Sequence, residues 1–158
     1  VRMAEKIYAF KKMIHQKKGE DPLAVKKETQ EMMWENVGVV RTEKQMQHAV
    51  RELARYKKKI LKTGFSLKMN KKLIAALDVQ NMFPVCEMII KSALYRKESR
   101  GAHYREDYPE TKEQWRKNIV CKRTPHGINV FTRKIPPVPQ EIARLLKTKR
   151  KAKTHLLE

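Results

Sequence analysis

The sequence is short of glycine, cysteine, aromatic residues and acidic charge. Its 5 glycines, at 19, 38, 64, 101 and 127, never come close enough for a G-x-G-x-x-G or P-loop arrangement, which removes the usual phosphate-cradling nucleotide folds. Its 2 cysteines, Cys86 and Cys121, form neither a C-x-x-C pair nor a disulfide framework. A reducing, cytoplasmic setting fits them. The five histidines, at 15, 48, 103, 126 and 155, show no metal-ligand spacing, so no metal site is expected. No apolar run approaches 18 residues and no signal-peptide core follows the N-terminus, so no transmembrane segment is expected.

What is present is basic. Lys and Arg number 37 against 17 Asp and Glu, a formal net charge of +20 over 158 residues. Hydrophobic residues still make up 41%, enough for the core of one domain. Such a charge raises nucleic acid as a rival function. Aromatics are only 7%, and no zinc-finger, RNP or helix-turn-helix signature occurs. The simpler account is a lysine-rich solvated surface, and docking onto an acidic partner or lipid headgroups is a third use.

Apolar periodicity predicts a mainly α fold. Met3, Ile7, Phe10, Met13 and Ile14 share one helical face, with Gly19 as a stop. Asp21-Pro22 reads as a cap and first turn, followed by Val25, Met32, Met33 and Val37 up to Gly38. Thr42 and Gln45 form a capping box ahead of a helix carrying Met46, Leu53 and Ile60, closed by Gly64. Asn70 caps the longest and most apolar helix, expected to end at Gly101 and to kink or break at Gln80–Phe83 before Pro84. Trp115–Arg123 and Ile128–Arg133, joined by Thr124-Pro125-His126-Gly127, read as a β-hairpin. Pro136–Pro139 is an extended linker, Gln140–Leu146 a last helical turn, and Arg144 onward a basic tail. The expected architecture is an antiparallel, spectrin-repeat-like bundle of about three long helices, with a small hairpin and a basic tail. The division is a bundle at 1–106, a turn and hairpin at 107–139, and the tail at 140–158. Trp34 and Trp115 read as core or interface anchors, and Cys86 as a buried, inert thiol.

One stretch concentrates charge around a helix end: Arg96, Glu98, Ser99, Arg100, Gly101, His103, Arg105, Asp107. Cations in a last turn complement the helix dipole, and Arg100 and Arg105 can pair with Glu98, Glu106 or Asp107 on a surface. Glycine just after the helix permits a left-handed turn, and an arginine's planar fork can hold a carboxylate or several carbonyls.

The run Glu98-Ser99-Arg100-Gly101-Ala102-His103-Tyr104-Arg105-Glu106-Asp107-Tyr108-Pro109 resembles the signature in the C-terminal domain of succinate dehydrogenase and fumarate reductase flavoprotein subunits. L-aspartate oxidase, a relative, has a similar stretch. Met33–Arg41, Asn81-Met82, Ser92–Arg96 and Trp115 with its hairpin match the same family. The resemblance implies a C-terminal domain of a larger flavoprotein, docked on that protein's own FAD domain and on an iron–sulfur subunit, with Arg96, Glu98, Ser99, Arg100, Gly101, His103, Arg105 and Asp107 as the docking corner. It implies succinate/fumarate interconversion in the parent, with association to a membrane through partner subunits. Two departures stand out. Pro84 falls in a helix that is continuous in the family, and the flavin-binding and dicarboxylate-binding parts have no counterpart here. The fragment is therefore expected to hold no cofactor, metal or catalytic residue, with FAD confined to the parent.

Overall fold

The computed structural model describes residues 16, 18–64, 69–125 and 127–145. The expected first helix over Met3–Lys18, the His126 turn position and the tail beyond residue 145 lie outside the described residues, apart from Gln16 and Lys18.

Helix α1 spans Pro22–Val37 and starts as expected, with the Asp21 carboxylate accepting the Leu23 amide at 3.3 Å and proline in the first turn. Helix α2 spans Glu43–Tyr56 behind a complete capping box: Thr42 N–H donates to Gln45 Oε1 at 2.9 Å, and Gln45 N–H to Thr42 Oγ1 at 3.2 Å. Helix α3 spans Lys71–Tyr95, capped by Asn70 accepting from Leu73 N–H at 3.0 Å. The three helices pack pairwise. Val25, Met32, Met46, Leu53, Val79, Phe83 and Ile90 share one buried core. Each large side chain so buried contributes about 1.5–3 kcal/mol.

Three features differ from expectation. α2 stops at Tyr56 instead of running through Ile60 to Gly64, because the chain is claimed by another pairing. Glu20 N–H donates to Ile60 O at 2.8 Å, Lys62 N–H donates to Glu20 O at 2.9 Å, and Lys59 reaches Glu20 and Glu28 at 2.6 and 2.7 Å. Gly19, at φ +135°, allows this approach, since a Cβ there would lie 2.3 Å from Ile60 O. α3 ends at Tyr95, well before Gly101. It also runs unbroken through Pro84, against the expected kink or break. Packing of the Phe83, Cys86 and Ile90 side chains on both sides of the proline outweighs the lost backbone bond.

α3 is long and apolar enough, by length and composition, to cross a membrane, although no uninterrupted run signalled this. Here it is the central helix. It packs against both α1 and α2, and its two carboxylates are tied to α1 or to the turn after α2: Asp78 pairs with Lys26 at 2.7 Å, and Glu87 with Lys57.

Strands β1, Val40–Arg41, and β2, Tyr104–Arg105, form a two-residue parallel pair that periodicity did not announce. It brings the start of α2 beside the chain that leaves α3. Strands β3, Lys117–Thr124, and β4, Gly127–Lys134, form the expected antiparallel hairpin, in register from Lys117↔Lys134 to Thr124↔Gly127. Trp115 lies outside it, in a 3₁₀ turn over Glu113–Trp115. Residues 135–139 have no regular structure and 140–145 are helical. The described residues are mainly α with small strands.

Candidate functional site

After α3 the chain folds back on the helix end. Arg100 and His103 close a two-residue turn with reciprocal backbone bonds, Arg100 N–H to His103 O at 2.8 Å and His103 N–H to Arg100 O at 3.1 Å. Gly101 holds φ +58° inside this turn. A Cβ there would meet nothing within 4 Å, so the demand for glycine is torsional alone.

Glu98 lies under the turn with 0% exposure. Its carboxylate accepts from Arg96 Nη1, from Arg100 Nε at 2.9 Å, from Arg100 Nη2 at 3.2 Å and from the Lys112 amide at 2.8 Å. Burial pushes such a carboxyl up. Here the bonds from Arg100, the Lys112 amide and Arg96 outweigh it and hold Glu98 at about 2. Arg96 also donates to Trp115 O at 2.9 Å and Lys117 O at 2.8 Å, so one guanidinium joins the helix end to the hairpin. Trp115 meets the Tyr95 ring edge-on at 5.8 Å.

Arg105 is also 0% exposed. Its Nε and Nη2 hold the two Asp107 oxygens at 2.7 and 2.5 Å. Nη1 donates to Ala93 O at 3.0 Å, with Arg96 O at 3.4 Å, and so satisfies carbonyls at the α3 terminus. Asp107 in turn accepts the Glu43 amide at 3.0 Å, at the start of α2. The bonds from Arg105, more than any other cause, hold the Asp107 carboxyl below its ordinary range. The buried Ser99 hydroxyl accepts Arg105 N–H at 2.8 Å and donates to Tyr108 O at 2.9 Å.

His103 is half-buried. Arg41 Nη1 donates to its Nδ1 at 2.7 Å, leaving Nε2–H directed at Arg96 O, 3.4 Å away. Burial, then the Arg41 charge, lowers its pKa, so the ring is a neutral acceptor at pH 7. Arg41, Arg96 and His103 line an open groove of about 400 Å³ whose remaining walls include Met88, Ile89 and Ile119.

The eight residues singled out in the sequence thus come together, in two orientations. Glu98, Ser99 and Arg105 are turned inward, so the surface pairing weighed for Arg105 is a buried one. Arg100 and His103 keep partial exposure. Sequence reading passed over Arg41, Glu43 and the Lys112 amide. Arg41 carried one signal, its place directly before the capping box. Trp34 is 81% exposed, which excludes a core role. Cys86 is buried, and burial pushes its thiol up. Among the described residues no group of three or more His, Cys, Asp or Glu could hold a metal ion.

The described residues form a mainly α domain with an arginine-tied corner at one helix end and an appended hairpin. The chain matches the family described as fumarate reductase flavoprotein C-term over residues 26–151, and it belongs to that family. It is 42% identical over 97 residues to an uncharacterized FAD-dependent oxidoreductase of Methanocaldococcus jannaschii, covering 58% of this chain and 16% of the relative. It is 35% identical over 104 residues to a polypeptide of the fumarate reductase (CoM/CoB) of Methanothermobacter marburgensis, covering 65% and 19%. L-aspartate oxidase of Acinetobacter baylyi is 39% identical over 93 residues, covering 59% and 16%. Among solved structures, the Mycobacterium smegmatis Sdh1 complex with UQ1 superposes with a TM-score of 0.74 at 28% identity, covering 87% of this chain and 25% of that one. The matched region spans less than a fifth of these curated relatives.

Proposed function

We propose that the chain is the C-terminal helical domain of an FAD-dependent succinate dehydrogenase or fumarate reductase flavoprotein subunit. In this reading it docks on the FAD domain of the same polypeptide and on an iron–sulfur partner. The observation that carries the reading is the family match over residues 26–151. The Sdh1 likeness over 87% of the chain supports it. Parent chemistry would interconvert succinate and fumarate through FAD held elsewhere, and no catalytic residue is assigned here. Residues 1–106 would form an antiparallel, spectrin-repeat-like bundle of three long helices, 107–139 its turn and hairpin, and 140–158 a basic tail. Membrane association would come through partner subunits.

Within the corner, Arg96, Arg100, Gly101 and His103 would face the neighbour. Glu98, Ser99, Arg105 and Asp107 would hold them in shape from beneath. Arg100→Ala in the full-length flavoprotein should lower flavin retention or assembly with the iron–sulfur subunit. Unchanged assembly together with unchanged turnover would remove the corner from docking. The wider reading is tested by purifying the full-length flavoprotein, measuring bound FAD, and assaying succinate oxidation and fumarate reduction with an artificial dye. Absence of both flavin and activity would overturn it.

A second reading is an L-aspartate oxidase, favoured by the 39% identity to the Acinetobacter baylyi enzyme. The same preparation assayed with L-aspartate separates the two.

A further inference from the structure

Four arginines converge on the corner, and three of them have carboxylates. Arg96 and Arg100 share Glu98. Arg105 holds Asp107 at 2.5 Å, with Glu43 at 3.8 Å. Arg41 is the exception. Its Nε donates to Gly38 O and its Nη1 to the neutral His103 ring, and no described carboxylate lies within 4 Å of it. Arg105 adds to the positive field around it.

An arginine cannot shed this charge by deprotonation. A half-buried guanidinium that donates only to neutral acceptors has surrendered water without gaining a counter-ion. Such a charge is stable when an anion completes it, and the planar fork fits a carboxylate edge-on. The opening is present: Arg41 lines the groove of about 400 Å³ between α3 and the hairpin, together with Arg96 and His103. Met88, Ile89 and Ile119 add apolar lining beside the guanidinium, and the lower local polarity strengthens a pair formed there.

We infer that this groove is a carboxylate-binding site centred on Arg41, filled by an acidic side chain of the neighbouring flavoprotein module when the domain is docked. The choice of occupant rests on the flavoprotein reading above and on charge complementarity with a chain of net charge +20. The site itself rests only on Arg41, His103 and the groove. His103 is the positioning residue: as a neutral acceptor it orients the guanidinium without neutralising it.

The experiment uses sodium acetate as the probe. The isotopically labelled 158-residue chain is titrated with acetate against sodium chloride at matched ionic strength, while the His103 ring and the Ile119 amide are followed by NMR. Saturable acetate-specific shifts are expected, weakened about tenfold or more in Arg41→Gln, as loss of a charge-assisted bond demands. Arg41→Lys should lose less, because charge survives without the fork. It also serves as the second variant if Arg41→Gln does not fold. In the full-length flavoprotein the acetate response should disappear, because the neighbour's carboxylate occupies the groove. Three results overturn the inference: acetate behaving as chloride, neither variant losing the response, or the full-length protein responding as strongly as the isolated chain. A full-length protein without flavin or activity would sink the flavoprotein reading instead, and would leave the acetate titration standing.

Discussion

Arg105 and Asp107 form a two-bonded ion pair that joins the ends of two helices. The guanidinium caps carbonyls at the C-terminus of α3, and the carboxylate accepts the first amide of α2. Each charge therefore lies where the adjoining helix dipole favours it. The pair fixes the two helix ends to each other although they lie far apart along the chain.

Removing either partner should destabilise the domain strongly. Arg105→Ala strips the carbonyls of Ala93 and Arg96 of a donor and leaves Asp107 without its main counter-charge. The expected loss is about 3–5 kcal/mol, read as a lower urea midpoint. Arg105→Lys should recover only part, since one ammonium cannot replace three directed bonds. A change below about 1 kcal/mol for Arg105→Ala would show that the pair does not brace the helix ends.

Glu98 predicts a particular acid sensitivity. Its folded pKa of about 2 lies below the usual value near 4.3 for an unfolded glutamate. A depressed carboxylate contributes stability that is complete above the unfolded value. That stability is lost as pH falls toward the folded value. Between about pH 4.5 and 2 the unfolded state takes up a proton that the native state refuses. Glu98→Gln should therefore flatten the stability–pH curve in that window while lowering stability at pH 7. Parallel curves for the two proteins would exclude this role.

His103 acts in a higher window with the same sign. Its pKa lies below the ordinary value of about 6.5, through burial and the nearby Arg41 charge. Stability should be whole above about pH 6.5 and decline as pH falls toward the folded pKa. NMR of the ring should show a titration midpoint below that of a free histidine. Arg41→Gln should raise this midpoint by removing a like charge. A midpoint that stays put would mean that burial alone sets it.

Two glycines should respond differently to alanine. At Gly101 the cost is torsional, about 1–2 kcal/mol, because a Cβ at φ +58° meets no neighbour. At Gly19 the added Cβ would sit 2.3 Å from Ile60 O, so the backbone bridge between Glu20 and the segment after α2 must open. Gly19→Ala should thus cost clearly more in thermal unfolding. Equal losses would indicate that the bridge yields easily.

Much of the architecture was legible because it is encoded within a few residues. Asp21-Pro22, Thr42 with Gln45, and Asn70 each mark a helix start through bonds that span two or three positions. The hairpin turn is equally local, with Gly127 at φ +114°. The corner was legible as a cluster, since its eight residues fall within twelve consecutive positions. Helix ends were less visible. Periodicity continues past Tyr56 through Ile60, yet the backbone there pairs with Glu20, forty residues earlier.

Helix starts, the hairpin, net charge and family membership follow from the linear order of residues, because capping, turn torsion and composition act over short spans. Which charges lie inside follows from long-range packing alone. Nothing local separates Arg105, fully buried on Asp107, from the half-exposed Arg100 nearby, or marks Arg41 as the one of the four corner arginines with no described carboxylate beside it. Burial and pairing depend on which distant segments meet, here β1 against β2, and that meeting is fixed by the packing of the whole core.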